Sequence, residues 1–278
     1  MAASGLTSTG VAGGNDEPKA VNSTSGKPAS ANVAGSSEPA SPVEAPSDSQ
    51  LTAAEAALVA QSSRAERTLM ERIFAVADGV MRKACMFSSV PVEFLAALTA
   101  NESGGDGRAV RFEPEVYDHL AAVSQGARPA YGAIGGKALA AEIQDALHPK
   151  AESFHRHFLT DAFAERNGAR LAETPEEVLR ELATSWGFTQ IMGYHMLWRG
   201  GEPRDLLVPD FHFTMALELL SQFAESYQLD VRSEFRELLG CWNTGRPYGE
   251  TTDPQYVEKG LRRMAIYRWV CERRRVNG

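Results

Sequence analysis

The sequence predicts a mainly α protein with at most a short β element. Three observations carry that reading. Apolar residues recur at three- and four-residue spacing through most of the chain after Thr52, no stretch sustains the alternation of a half-buried strand, and no segment repeats another. Helix starts are also legible: Thr174-Pro175-Glu176-Glu177 sets a capping threonine, a proline and two acids in order.

Residues 1–50 are rich in Ala, Ser, Gly, Pro, Thr and Asn and hold no aromatic residue. Such a segment buries too little apolar area to offset its ordering entropy, so it reads as a disordered leader. Residues 51–84 read as a supporting helix or pair of helices, with Leu58, Leu69, Ile73, Phe74, Val76, Val80 and Met81 as a packing stripe. Residues 85–278 read as the main domain.

That domain is organised around Val92 to Gly107, VEFLAALTANESGGDG. Val92, Leu95, Leu98 and Thr99 predict a helix with one buried face, capped by Ser89 with Pro91 in its first turn. Gly104, Gly105 and Gly107 stop it. Glu102 falls on or beside the buried face. A carboxyl held against apolar surface keeps its proton to higher pH than one in water and suits general acid catalysis near neutrality.

Farther on, Val110 and Phe112 alternate with charged neighbours, predicting a short strand before Pro114 opens a helix. Residues 124–136 read as a loop and Lys137 to Asn167 as two helices. The helix begun at Thr174 is expected to reach Gly187. Further helices are expected from Pro209 (apolar stripe Phe213, Ala216, Leu217, Leu220, Phe223), over Val231 to Trp242, and from Pro254 to about Arg275.

Composition removes several function classes. The 278 residues are 43% hydrophobic and 23% charged, enough for one sizeable domain or two small ones. No window approaches a membrane span, and the amino terminus lacks a secretory signal. A net charge of −8 argues against nucleic acid as a partner. The local exception is the last helix, with Arg262, Arg263, Arg268, Arg273, Arg274 and Arg275, read as cations near a helix carboxyl end plus a solvated tail, with contact to an anionic polymer as the alternative. Cys85, Cys241 and Cys271 read as buried small hydrophobes. His148, His155 and His157 lack metal-ligand spacing, so no metal is expected. With no phosphate-binding or dinucleotide fingerprint, no cofactor is expected either.

Three stretches carry a resemblance: NESGG at 101–105, ATSWGFTQIMGYH at 183–195 and CWNTGRPYGETTDPQYVEKGL at 241–261. In this order they resemble lysozyme-like peptidoglycan-cleaving enzymes, the N-acetylmuramidase and lytic transglycosylase domains, over roughly residues 85–270. Phe112-Glu113 and Ser185 to Gly193 are closer to the muramidase pattern. Trp242 and Gly193 depart from the tyrosine and proline usual in transglycosylases. The resemblance implies a lysozyme-like helical domain with Glu102 as catalytic acid. Gln190 and Met192 would line the sugar cleft, and Asn243 would face the acid with Tyr256 packed or hydrogen-bonded behind it. Ser185 and Trp242 complete the expected substrate-binding set.

The implied reaction is cleavage of the β-1,4 bond between N-acetylmuramic acid and N-acetylglucosamine by a monomer acting on the peptidoglycan glycan strand. Hydrolysis needs a second carboxylate, and Asp106, Glu113 and Glu115 are available. Glu113 is favoured because it follows an extended segment able to wall the cleft, and a plain helix-start role beside Pro114 stays open. Two alternatives stand beside the muramidase: a lytic transglycosylase leaving 1,6-anhydromuramyl ends, and a non-catalytic binder of peptidoglycan or a chitin-like polymer. The target implied is the cell wall, reached through the periplasm or by phage delivery; the sequence does not choose an export route.

Overall fold

The computed structural model describes residues 51–148, 172–199 and 201–277; the expected leader, the later part of the 137–167 segment, and His155 and His157 lie outside them. The described residues are mainly helical, with a small antiparallel sheet. In chain order they form α1 (Ala53–Gln61), α2 (Arg64–Cys85), α3 (Val92–Glu102), β1 (Val110–Phe112) and α4 (Pro114–Ser124). A hairpin of β2 (Ala130–Tyr131) and β3 (Ile134–Gly135) leads into α5 (Gly136–Leu147). Then come α6 (Pro175–Leu182), β4 (Thr184–Trp186), β5 (Ile191–Met192) and two 3-10 turns, Gly193–Met196 and Pro203–Leu207. The chain closes with α7 (Pro209–Tyr227), α8 (Phe235–Thr244) and α9 (Tyr256–Asn277).

The amino-terminal segment is a pair of helices because Thr52 and Ser63 each start one with a capping box, closed by Glu55 and Glu66. Met70, Ile73, Ala77 and Met81 form the buried stripe of α2, whereas Val76, expected in it, is 58% exposed.

The helix α3 is more deeply placed than a one-face reading allows. Phe94, Leu95, Ala96, Ala97, Leu98, Thr99 and Ala100 are all buried, because both α2 and α9 pack against it. Full burial of Phe94, Leu95 and Leu98 is worth roughly 1.5–3 kcal/mol each. The cap also differs from expectation. Pro91 itself stands at the cap position, its carbonyl accepting from the Phe94 amide at 3.0 Å, while the Ser89 hydroxyl meets the Arg232 guanidinium instead.

Helix α6 starts with the expected Thr174 capping box but ends at Leu182, short of Gly187. The residues beyond it are extended because two partners compete for their backbone: β4 is the central strand, antiparallel to β1 and to β5. Its register aligns Arg111, Ser185 and Met192 across the sheet. The 124–136 loop contains the β2–β3 hairpin. Helices α8 and α9 begin at Phe235 and Tyr256, a few residues later than expected. Before α8, Asp230 accepts from the Arg232 amide and the Ser233 hydroxyl and holds a turn.

Two cores result. One joins α1, α2, α3, α7, α8 and α9; the other is built from Leu120, Val123, Ile134, Leu139, Val178, Leu179, Leu182, Ala183 and Leu197. Of the cysteines, Cys241 is buried and Cys85 and Cys271 are half-buried. Several arginines of the last helix are not a solvated tail. Arg262 pairs with Glu66 at 2.7 Å, Arg268 with Glu55 and Glu93, and Arg273 with Glu71 at 3.4 Å, tying α1, α2 and α3 to α9. Among the described residues, no helix is long and apolar enough to cross a membrane.

Candidate active site

The site begins where α3 ends. After seven buried residues, Asn101 and Glu102 reach the rim of the first core. The Tyr256 hydroxyl, from the first residue of α9, donates to Glu102 Oε1. Asn101 fixes that meeting: its Nδ2 donates to the Tyr256 carbonyl at 3.0 Å, and its Oδ1 accepts from Arg263 at 2.7 Å. Burial pushes the Glu102 carboxyl up to about 7, against the opposing pull of the Tyr256 hydrogen bond and the Arg111 charge. Burial and the adjacent Glu102 raise Tyr256 well above the usual phenol range, so it remains a donor.

The glycines after Glu102 serve two purposes. Gly104 and Gly105 turn the chain at φ +62° and +88°, where a side chain is strained. Gly107 is needed for close approach instead, since a Cβ there would sit 2.6 Å from the Phe188 ring.

That ring belongs to the segment Gly187 to Gln190, which is fastened at every residue. The Gly187 amide donates to the Ala109 carbonyl at 2.8 Å. Ser103 Oγ donates to the Phe188 carbonyl at 2.7 Å. The Thr189 amide donates to His212 Nε2 at 3.0 Å, and the Thr189 carbonyl accepts from Trp242 Nε1 at 3.1 Å. Gln190 has φ +53°, and its Nε2 donates to the carbonyls of Ala109 and Gly187 while its Oε1 accepts from Ser185. Both amide protons of Gln190 are therefore committed to the backbone.

Beside this segment a cleft of about 790 Å³ opens between the two cores. The hairpin contributes Tyr131 and Ile134 to its lining, α7 and α8 contribute Phe223, Trp242 and Asn243, and Gln190, Met192 and the half-exposed Trp198 complete it. The structure thus brings together Gln190, Met192, Trp242 and Asn243 at the cleft. Glu102 and Tyr256 form a second group, not part of the cleft lining, joined to the first through Ser103, Phe188 and Thr189. Ser185 is 1% exposed, and its hydroxyl faces Gln190 and the Arg111 carbonyl, so it orients a cleft residue from behind.

Glu113 stands at the cap position of α4, where its side chain makes no capping bond. Its carboxylate accepts from Arg111 Nε at 2.6 Å. Arg111 is therefore the group shared by the two expected catalytic carboxyls: it pairs with Glu113 and its charge acts on Glu102. Among the described residues, no carboxylate contributes to the shift of Glu102.

Three residues of this neighbourhood escaped the sequence reading. Arg111 was visible only as a charged neighbour within the strand pattern. His212 lay within an apolar helical run, and its signal was a lone histidine there. Glu181 pairs with Arg204 in the interior, where burial pushes its carboxyl up to about 7 against the Arg204 charge. The Glu181 carbonyl also explains Gly193, because a Cβ at that position would lie 2.1 Å from it.

Among the described residues, no group of three or more His, Cys, Asp or Glu is placed to hold a metal ion. What the site can do chemically is hold a proton on Glu102 near neutrality and release it beside a hydrogen-bonding phenol and a cation. Comparison of the chain with protein-family models, with curated proteins and with solved structures finds no match.

Proposed function

We propose that this chain cleaves the β-1,4 glycosidic bond of a peptidoglycan strand between N-acetylmuramic acid and N-acetylglucosamine, with Glu102 as general acid. The observation that carries the reading is Glu102 itself, a carboxyl raised to about 7 at the end of the deeply buried α3 and held by Tyr256. Its support is the cleft of about 790 Å³, joined to Glu102 through Ser103, Phe188 and Thr189 and lined by aromatic rings suited to sugar faces. The ordered motifs that resemble lysozyme-like enzymes point the same way.

In the proposed reaction, protonated Glu102 gives its proton to the glycosidic oxygen as the bond to the anomeric carbon breaks, leaving an oxocarbenium-like sugar. The Tyr256 hydrogen bond strengthens as the carboxyl becomes a carboxylate, and the Arg111 charge favours the same change. Water then adds to the sugar, with Glu113 taking its proton across the Arg111 pair, and the product is a reducing muramyl end. A second reading is favoured by the absence of any carboxylate influence on Glu102 among the described residues. In it, Glu102 acts alone as acid and then base, and the muramyl hydroxyl closes an anhydro ring.

The test is a digest of purified peptidoglycan by the wild-type chain and by Glu102→Gln, products resolved by mass. Release by wild type alone supports the reading. Reducing ends mean hydrolysis, and ends lighter by one water mean the transglycosylase. A folded wild-type chain that binds the polymer and releases nothing makes it a cell-wall binding protein.

A further inference from the structure

We propose that His212 is a positioning residue whose imidazole holds the Thr189 amide and so sets the cleft-lining geometry of Gln190 and Trp242. The proposal rests on the reading of that cleft as the glycan site for its effect on activity, but not for the contact itself.

His212 lies on α7 and is fully buried, with both ring nitrogens engaged. Nδ1 lies 2.9 Å from the Leu206 carbonyl, which can only accept, so Nδ1 carries the proton. Nε2 is then the acceptor, with the Thr189 amide at 3.0 Å and the Thr189 hydroxyl at 2.8 Å both directed to it. Burial depresses the ring to about 4, so the neutral form with a free Nε2 lone pair persists at physiological pH.

The backbone is shaped around this ring. Gly187 has φ +70°, and a Cβ on it would lie 2.6 Å from His212 Nδ1, so the turn presses directly on the imidazole. Thr189 is itself fully buried, and its amide has His212 as its hydrogen-bond acceptor. An apolar side chain of similar volume would fill the space and leave that amide without a partner. Thr189 precedes Gln190, whose left-handed backbone is unfavourable for a residue with a Cβ and must be enforced by its neighbours. The Thr189 carbonyl receives the Trp242 indole, so one histidine fixes the turn that carries Gln190 and holds Trp242, two residues of the cleft lining.

The contact is tested first in the wild-type chain. A ¹⁵N–¹⁵N coupling across the hydrogen bond between the Thr189 amide and His212 Nε2 is expected, and its absence overturns the assignment. Two variants then separate positioning from packing. In His212→Gln the carboxamide oxygen reaches the place of Nε2 and accepts from Thr189; in His212→Asn the shorter side chain reaches only the Leu206 carbonyl. Both lose the ring.

In full-length chains labelled with ¹⁵N-tryptophan, the Trp242 indole resonance, assigned through Trp242→Phe, should stay in place in the glutamine variant and move in the asparagine variant. In the glycan digest, the glutamine variant should keep kcat/KM within about threefold and the asparagine variant should lose at least tenfold. Similar unfolding midpoints for the two are expected. Parallel behaviour of the two variants in the indole resonance makes His212 a packing residue and overturns the proposal. If the wild-type chain cuts no glycan, the function proposed above fails, while the coupling and the indole resonance still decide the role of His212.

Discussion

The Tyr256 hydroxyl donates to Glu102 Oε1 across 154 residues of chain, from the start of one helix to the end of another. This contact joins a buried acid to a donor that stabilises its ionised form, while burial stabilises the protonated one. Burial is the larger effect, and the carboxyl is held at about 7.

With Glu102 moved from 4.5 to about 7, the folded chain keeps a proton that the unfolded chain has lost between those values. Stability therefore falls as pH rises through that window, by ~3 kcal/mol once both states are ionised. Glu102→Gln keeps the Tyr256 contact and removes the titration. Its unfolding midpoint should match wild type at pH 4 and exceed it by several degrees at pH 8. A difference independent of pH would mean that Glu102 titrates normally.

Tyr256→Phe removes a hydrogen bond that favours the carboxylate, so the Glu102 carboxyl should rise further. The alkaline limb of the pH–rate profile is expected to move to higher pH in this variant. The rate below pH 7 should drop by about tenfold to a hundredfold, because the conjugate base loses a charge-assisted hydrogen bond. An unmoved alkaline limb would assign that limb to another group.

Glu113→Gln distinguishes the two chemistries proposed for Glu102. If Glu113 receives the proton of the attacking water, hydrolysis should fall by at least about a hundredfold. Retention of full rate with anhydro ends in the products would make Glu102 the sole acting carboxyl.

The pairs made by Arg268 should carry measurable stability. Its side chain is 37% exposed, and those of its partners Glu55 and Glu93 are 19% and 13% exposed, so the pairs are only partly screened. Arg268→Ala is expected to cost ~1–2 kcal/mol, seen as a lower thermal midpoint and faster proteolysis of α1. An unchanged midpoint would make the amino-terminal helices independent of these pairs.

Much of this molecule was legible in residue order because the signals are local. The capping box at Thr174 acts within one turn, and the Gly104-Gly105 turn needs only its own backbone angles. The placement of Glu102 at the end of an apolar helix followed from the same short-range arithmetic. The tertiary structure decided what depends on partners far along the chain. Helix α3 is buried all round because α2 and α9 cover it, and no helical period encodes a neighbour. Thr184 to Trp186 became a strand because β1 and β5 offered backbone partners on both sides, which outweighed the helical pattern leading into them. Tyr256 met Glu102, and His212 met Thr189, through contacts that local periodicity does not describe. The sequence by itself determined the helices and the local setting of Glu102 only as far as a few residues reach; the fold decided the acidity of Glu102 and its hydrogen-bond partners, since desolvation and long-range hydrogen bonds exist only once the chain is packed.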